Sequence, residues 1–166
     1  MQGHDEEARR VGAPKAYADT SVFGGAFEAE FEWGSVTFLE QARQGRFELM
    51  VSALVEEEIA DAPQEVWELF GSVASAGNVL PITQEALDLQ EAYMRAGIVG
   101  PARRGDALHV ATASVSGCVF IVSWNFKHIV HYGKIPLYNA TNSAMGYRPI
   151  GIFSPLEVIA YEEDDS

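Results

Sequence analysis

The stretch "DALHVATASVSGCVFIVS", residues 106–123, decides how this chain is read. Its first part places Ala107, Val110, Ala111 and Ser114 on one helical face, and Gly117 ends the run. Its second part, "CVFIVS" (118–123), is apolar and β-branched, the pattern of a strand covered on both faces. A helix running into a buried strand is one half of a parallel crossover. The same alternation is then sought on either side.

Upstream, "KAYA" (15–18) reads as a short strand. Phe31, Phe38, Leu39 and Ala42 mark a helix over 28–44, ended by Gly45. "RFELMVS" (46–52) reads as a strand and "ALVEEEIADAP" (53–63) as a helix stopped near Pro63. Val66, Leu69, Phe70 and Val73 mark another helix, and "NVLPI" (78–82) a short strand or extended link. Leu89, Ala92, Tyr93 and Ala96 make the next helical face, closed by Gly97. Downstream, "FKHIVHY" reads as a short helical piece and "KIPLYNA" (134–140) as a further strand. Helices alternating with short buried strands predict an α/β fold, a three-layer α/β/α sandwich with a mainly parallel, Rossmann-like central sheet. The expected organisation is a polar tail over 1–14, a single domain over 15–160 and an acidic tail over 161–166.

Composition narrows the function. With 166 residues the chain has length for one domain with a real core. No apolar run is long enough to span a bilayer, and "MQGHDEEARRVGAPK" has no apolar segment like that of a secretory signal. The single cysteine, Cys118, excludes a disulfide framework, so a reducing, cytoplasmic setting is expected. The net charge is −13, and "EEDD" (162–165) supplies four of the 24 acids. Such a surface repels nucleic acid on average, which argues against a protein that coats DNA or RNA. It leaves room for an enzyme with a local basic patch or a metal-neutralised acidic site.

In an open parallel sheet, ligands bind beyond the carboxyl ends of the strands. Asp19 follows "KAYA", Glu58 lies in the helix after "RFELMVS", Asp106 falls on the first turn of its helix, and Asn125 follows "CVFIVS". Three carboxylates and an amide oxygen from separate segments are able to converge. Hard oxygens of this kind suit Mg²⁺ or Mn²⁺, which activate water and neutralise charge on a phosphoryl oxygen. Each also has a plainer reading: Asp19 as a turn or helix cap, "EEE" (56–58) as a solvated face, Asp106 as a partner of the helix dipole.

The stretches "YADTSVFGG", "FELMVSALVEEEIADAP", "GDALHVATASVSGCVFIVSWNFKHI" and "KIPLYNATNSAMGYRPIGIFSPLEVI" together resemble the PIN domain. This is the metal-dependent nuclease family that includes the VapC-type toxins of toxin–antitoxin pairs, and the resemblance spans residues 15 to about 159. It implies a ribonuclease in which Asp19, Glu58 (with Glu57 as the alternative) and Asp106 hold Mg²⁺ or Mn²⁺, and a water attacks an RNA phosphodiester. At the fourth position many relatives place an Asp; here "SWN" supplies Ser123 and Asn125. Thr20 or Ser21 is then expected to bond a water or phosphate, and Arg103, Arg104 and Lys127 to contact phosphate. The resemblance also implies a homodimer, with an antitoxin protein as a further partner. The stretch 139–153, rich in apolar residues, is the surface offered for the dimer, which is placed away from the acids. The alternative reading is a weak or inactive PIN-like module that binds RNA or a protein.

Other chemistries find less support. His109 lies three residues after Asp106 and reads as an Asp/His metal pair or as a buried histidine. His128 and His131 lack a companion Cys or carboxylate. Trp124 reads as a base-stacking platform or as core. A dehalogenase-type phosphatase wants a second Asp where Ser21 stands, Ser52 and Ser123 lack His–Asp partners, and no phosphate-binding glycine loop occurs.

Overall fold

The computed structural model describes residues 12–162. Five strands form one parallel sheet: β1 (Lys15–Ala18), β2 (Glu48–Ser52), β3 (Val79–Leu80), β4 (Phe120–Val122) and β5 (Gly151–Phe153). Their order is β3-β2-β1-β4-β5, so the chain winds outward from β1 to β3, returns across the centre and continues to β5. Register is set at the middle strand, where Tyr17 pairs with Met50 on one side and Ile121 on the other. A parallel sheet with this order has its switch point between β1 and β4.

Eight α-helices flank the sheet among the described residues: α1 (Thr20–Gly25), α2 (Glu32–Arg43), α3 (Ala53–Glu58), α4 (Gln64–Val73), α5 (Gln84–Arg95), α6 (Arg104–Val115), α7 (Ile135–Ala144) and α8 (Pro155–Val158). They pack in groups, with α1 against α2 and α4, α2 against α8, and α5 against α6 and α7. The result is the expected three-layer α/β/α sandwich around a parallel sheet. One apolar cluster runs from Ala16 to Ile159. Every residue of α6 from Ala107 to Ala113 is buried, which explains why a one-sided reading of that helix was too narrow. Gly117, with φ of +74°, turns the chain from α6 towards β4, a conformation that strains any residue with a Cβ.

Three segments differ from the sequence reading. "KIPLYNA" is not a strand: Pro136 occupies the first turn of α7, and Tyr138 and Asn142, one turn apart, face inward. The last strand is Gly151–Phe153, so Ile150 and Ile152 in the apolar stretch 139–153 belong to the core and not to an outer face. "FKHIVHY" forms turns, because Asn125 holds them from both its carbonyl groups: its backbone oxygen accepts from Val130 N at 2.8 Å, and its Oδ1 from His128 N at 2.9 Å. α3 also stops at Glu58, short of Pro63, which disfavours helical geometry at the residue before it. The tail over 1–14 lies outside the described residues as far as Val11. At the other end, Ala160 N and O both bond Gln41, and Tyr161 packs on Trp33 at 6.0 Å, while residues 163–166 lie outside the description.

Candidate active site at the switch point

β1 delivers Asp19 to the crevice. Its backbone N–H still bonds Val122 O of β4 at 3.2 Å, while its side chain caps α1. Oδ1 accepts from Ser21 N at 3.1 Å and Ser21 Oγ at 2.6 Å, and Oδ2 accepts from Ser123 Oγ at 2.6 Å. Asp19 is thus buried with both oxygens bonded, the condition a buried carboxylate requires. Burial raises its pKa; the charge of His109 and the two serine hydroxyls pull the other way, and Glu58 adds a small like-charge push. Crowding of acids is therefore the least of the causes.

Ser123 and Ser21 do more than bond Asp19. Ser123 Oγ accepts from Asn125 N at 2.9 Å, and Ser21 Oγ accepts from Trp124 N at 2.9 Å. The turn after β4 is thereby fastened to the turn after β1. Trp124 itself is core: its ring stacks on Phe31 at 4.6 Å and donates from Nε1 to Ser35 Oγ at 2.8 Å. The indole lies over two glycines. A Cβ on Gly25 would come within 2.7 Å of Nε1, and one on Gly34 within 2.6 Å of the ring.

Glu58 closes α3, whose N-cap is Ser52. Of the three consecutive glutamates it is Glu58 that meets the site: Oε1 accepts from Thr20 Oγ1 at 2.7 Å and is bonded to His109 Nε2. His109 Nδ1 in turn meets Tyr17 OH at 2.7 Å, and Tyr17 OH meets Ser52 Oγ at 2.7 Å. Thr20, Glu58, His109, Tyr17 and Ser52 form one hydrogen-bonded chain, with His109, Tyr17 and Ser52 fully buried. Burial pushes the Glu58 pKa up, yet the bond and charge of His109 together with Thr20 outweigh it and hold the carboxyl below its ordinary range. His109 is thus the buried histidine of the two readings, tied to Glu58 rather than to Asp106. Tyr17 escaped the sequence reading altogether. Its only signal was a phenol set between two alanines in a short strand.

Asp106 lies on the first turn of α6, where the helix dipole favours its charge. Its Oδ2 is buried with no hydrogen-bond partner, and so is Nδ1 of His128. Burial holds the His128 imidazole below its usual range; Asp106 opposes this, while Arg103, Lys134 and Lys127 reinforce it. Three cations therefore act on this imidazole. Arg104 faces elsewhere, onto Glu91 of α5 at 2.7 Å. Asp106 also bears on the Tyr138 phenol, whereas the charges felt by Asp19 are those of His109 and Glu58. A Cβ placed on Gly105 would stand 3.8 Å from Glu58 Oε2, which brings the start of α6 to the same crevice. Among the described residues, no three His, Cys, Asp or Glu side chains are grouped closely enough to hold a metal ion.

No family model matches the chain, and neither a curated protein nor a solved structure matches it. No helix among the described residues is long and apolar enough to cross a membrane.

Proposed function

We propose that this chain is a metal-dependent ribonuclease of PIN-like type, hydrolysing RNA phosphodiesters. What supports the reading is one observation above all: Asp19, Thr20 and Ser21 after β1, Glu58 after β2, and Ser123 and Asn125 after β4 meet at the switch-point crevice, with the start of α6 beside them. The donor set is hard oxygen, and the buried, unpartnered Oδ2 of Asp106 is the kind of atom a cation satisfies. Mg²⁺ needs only one or two protein carboxylates when substrate phosphate and water complete its shell, so a loose trio suits it. One or two of Asp19, Asp106 and Glu58 would hold Mg²⁺ or Mn²⁺, which when bound supplies an activated water and charge neutralisation.

The chain's own residues do the rest. Ser21 and Ser123 fix the Asp19 carboxylate, and His109 and Thr20 fix Glu58, so the acids are oriented before substrate arrives. Arg103, Lys127 and Lys134 supply the positive potential that an acidic protein needs where phosphate docks. Asn125 spends one lone pair of Oδ1 on His128 N, so it serves the site by shaping the turn. Thr20 and Ser21 act on the carboxylates, and Arg104 is drawn to Glu91. A cytoplasmic homodimer with an antitoxin-like partner completes this reading.

The test is cleavage of a mixed RNA pool with Mn²⁺. The expected outcome is cutting that EDTA abolishes and that Asp19→Asn and Asp106→Asn each reduce by about 10²-fold or more. A second reading, an inactive module that holds RNA or protein, is favoured by the dispersed carboxylates and by the His109–Glu58 pairing. Binding of RNA without metal-dependent cutting would establish it in place of the nuclease.

A further inference from the structure

Next to Glu58 and Thr20 the surface opens into a cavity of about 330 Å³ between α1, the end of α3 and the start of α4. Its walls are apolar: Ile59 and Val66 are buried core residues, and Phe27 stands half-exposed at the side. Its polar lining is acidic, with Glu28 and Glu65 joining Glu58. Three carboxylates repel a phosphate, so the phosphate backbone of an RNA must run elsewhere, past Arg103, Lys127 and Lys134. Carboxylates accept hydrogen bonds and do not donate them. A ligand that fits is flat, largely apolar on its faces, free of negative charge, and edged with N–H donors.

We infer that this cavity is a subsite for a nucleobase bearing an exocyclic amino group, stacked beside Phe27 and read by Glu28 and Glu65. The inference rests on the ribonuclease reading for its meaning, since the subsite opens directly onto Glu58. Aromatic side chains hold unstacked bases through their faces, and carboxylates accept from the amino group of cytosine. Uracil is the same size but turns a carbonyl oxygen towards the carboxylates at that position. The cavity therefore selects the base that lies next to the phosphate to be cut.

Saturation-transfer NMR with free cytidine and uridine at millimolar concentration tests this without phosphate, metal or cleavage. The expected result is that cytidine binds about tenfold more tightly than uridine. Phe27→Ala, a change at an exposed side chain, should weaken both, and Glu28→Gln with Glu65→Gln should erase the preference while the protein stays folded. Equal binding of the two nucleosides, or a cytidine signal that ignores Phe27→Ala, overturns the subsite. So does tighter binding of N-acetyl-arginine amide than of cytidine, which would mark the cavity as a seat for a basic protein segment. The two proposals fail separately. An enzyme that cuts beside cytosine and uracil alike keeps the ribonuclease reading and loses the subsite, whereas base selection in a chain that cuts nothing does the reverse.

Discussion

Asp19, after β1, and Asp106, on the first turn of α6, are two carboxylates built in opposite ways. Asp19 is buried and spoken for, with donors from Ser21 and Ser123 on both oxygens. Asp106 keeps a buried oxygen without a partner, and its charge acts on His128. In physical terms, the first carboxylate is held by donors on both oxygens and the second keeps bonding capacity left over.

Substitutions can break that contrast. The largest effect is expected at His109, which links the Asp19 side to Glu58. His109→Ala should lower stability by about 2–4 kcal/mol, because it opens a buried cavity and strips partners from Tyr17 and Glu58. At about 2–4 °C per kcal/mol for a chain of this size, thermal denaturation followed by circular dichroism would read roughly 5–15 °C. A shift under about 1 °C would mean that the hydrogen-bonded chain from Thr20 to Ser52 contributes nothing to the fold.

Asp19→Asn should raise the melting temperature by several degrees at pH 7.5 even as it removes cleavage. The sign follows from burial. The folded pKa of Asp19 is raised, so its contribution is fully present below the unfolded carboxylate value and is lost as pH rises through the folded value. The gain from the amide should accordingly vanish as pH falls below about 4. Glu58 runs the other way: its pKa is lowered, so its stabilisation is present above the unfolded value and fades as pH drops through the folded one. A melting temperature for Asp19→Asn below wild type at pH 7.5 would show that the serine bonds more than repay the burial.

Asp106→Asn should change stability by less than about 1 kcal/mol, the scale of a charge on the first turn of a helix. A larger loss would mean that Asp106 is structural and would erase the contrast with Asp19. Smallest of all, Asn125→Asp should leave the melting temperature within about 1 °C, since a carboxylate accepts from His128 N as the amide does. The same variant should keep or increase cleavage with Mn²⁺.

The fold was legible where periodicity and length agreed. α5, with Leu89, Ala92 and Tyr93 buried, and β4 carry patterns that only one structure satisfies. "KIPLYNA" was misread because its apolar residues, Ile135, Leu137 and Tyr138, suit a strand as well as a helix. The decision came from Asn142, whose amide bonds Ser114 Oγ at 2.9 Å and which also accepts from Tyr93 OH. β5 was hidden because only Ile152 of its three residues is buried, whereas all three of β4 are. In the site, the end of β1 located Asp19, because a carboxylate after a buried strand has few places to go, whereas Glu58 ends the helix after β2 and Asp106 opens α6. Their partners stayed hidden, since a hydroxyl such as Ser123 or Tyr17 has no sequence pattern that says which acid or imidazole it will meet.

The bond from Ser123 to Asp19 joins residues 104 positions apart. Contacts of that span form late in folding, after the intervening loop has been closed. A nascent chain released only as far as α5 holds β1 with β2 available and β4 missing. Its Asp19 has Ser21 beside it and no lid from Ser123 or Trp124. Assembly of the crevice therefore waits until translation has passed residue 124, so Asp19 stays without its second donor until β4 and the turn after it have been made.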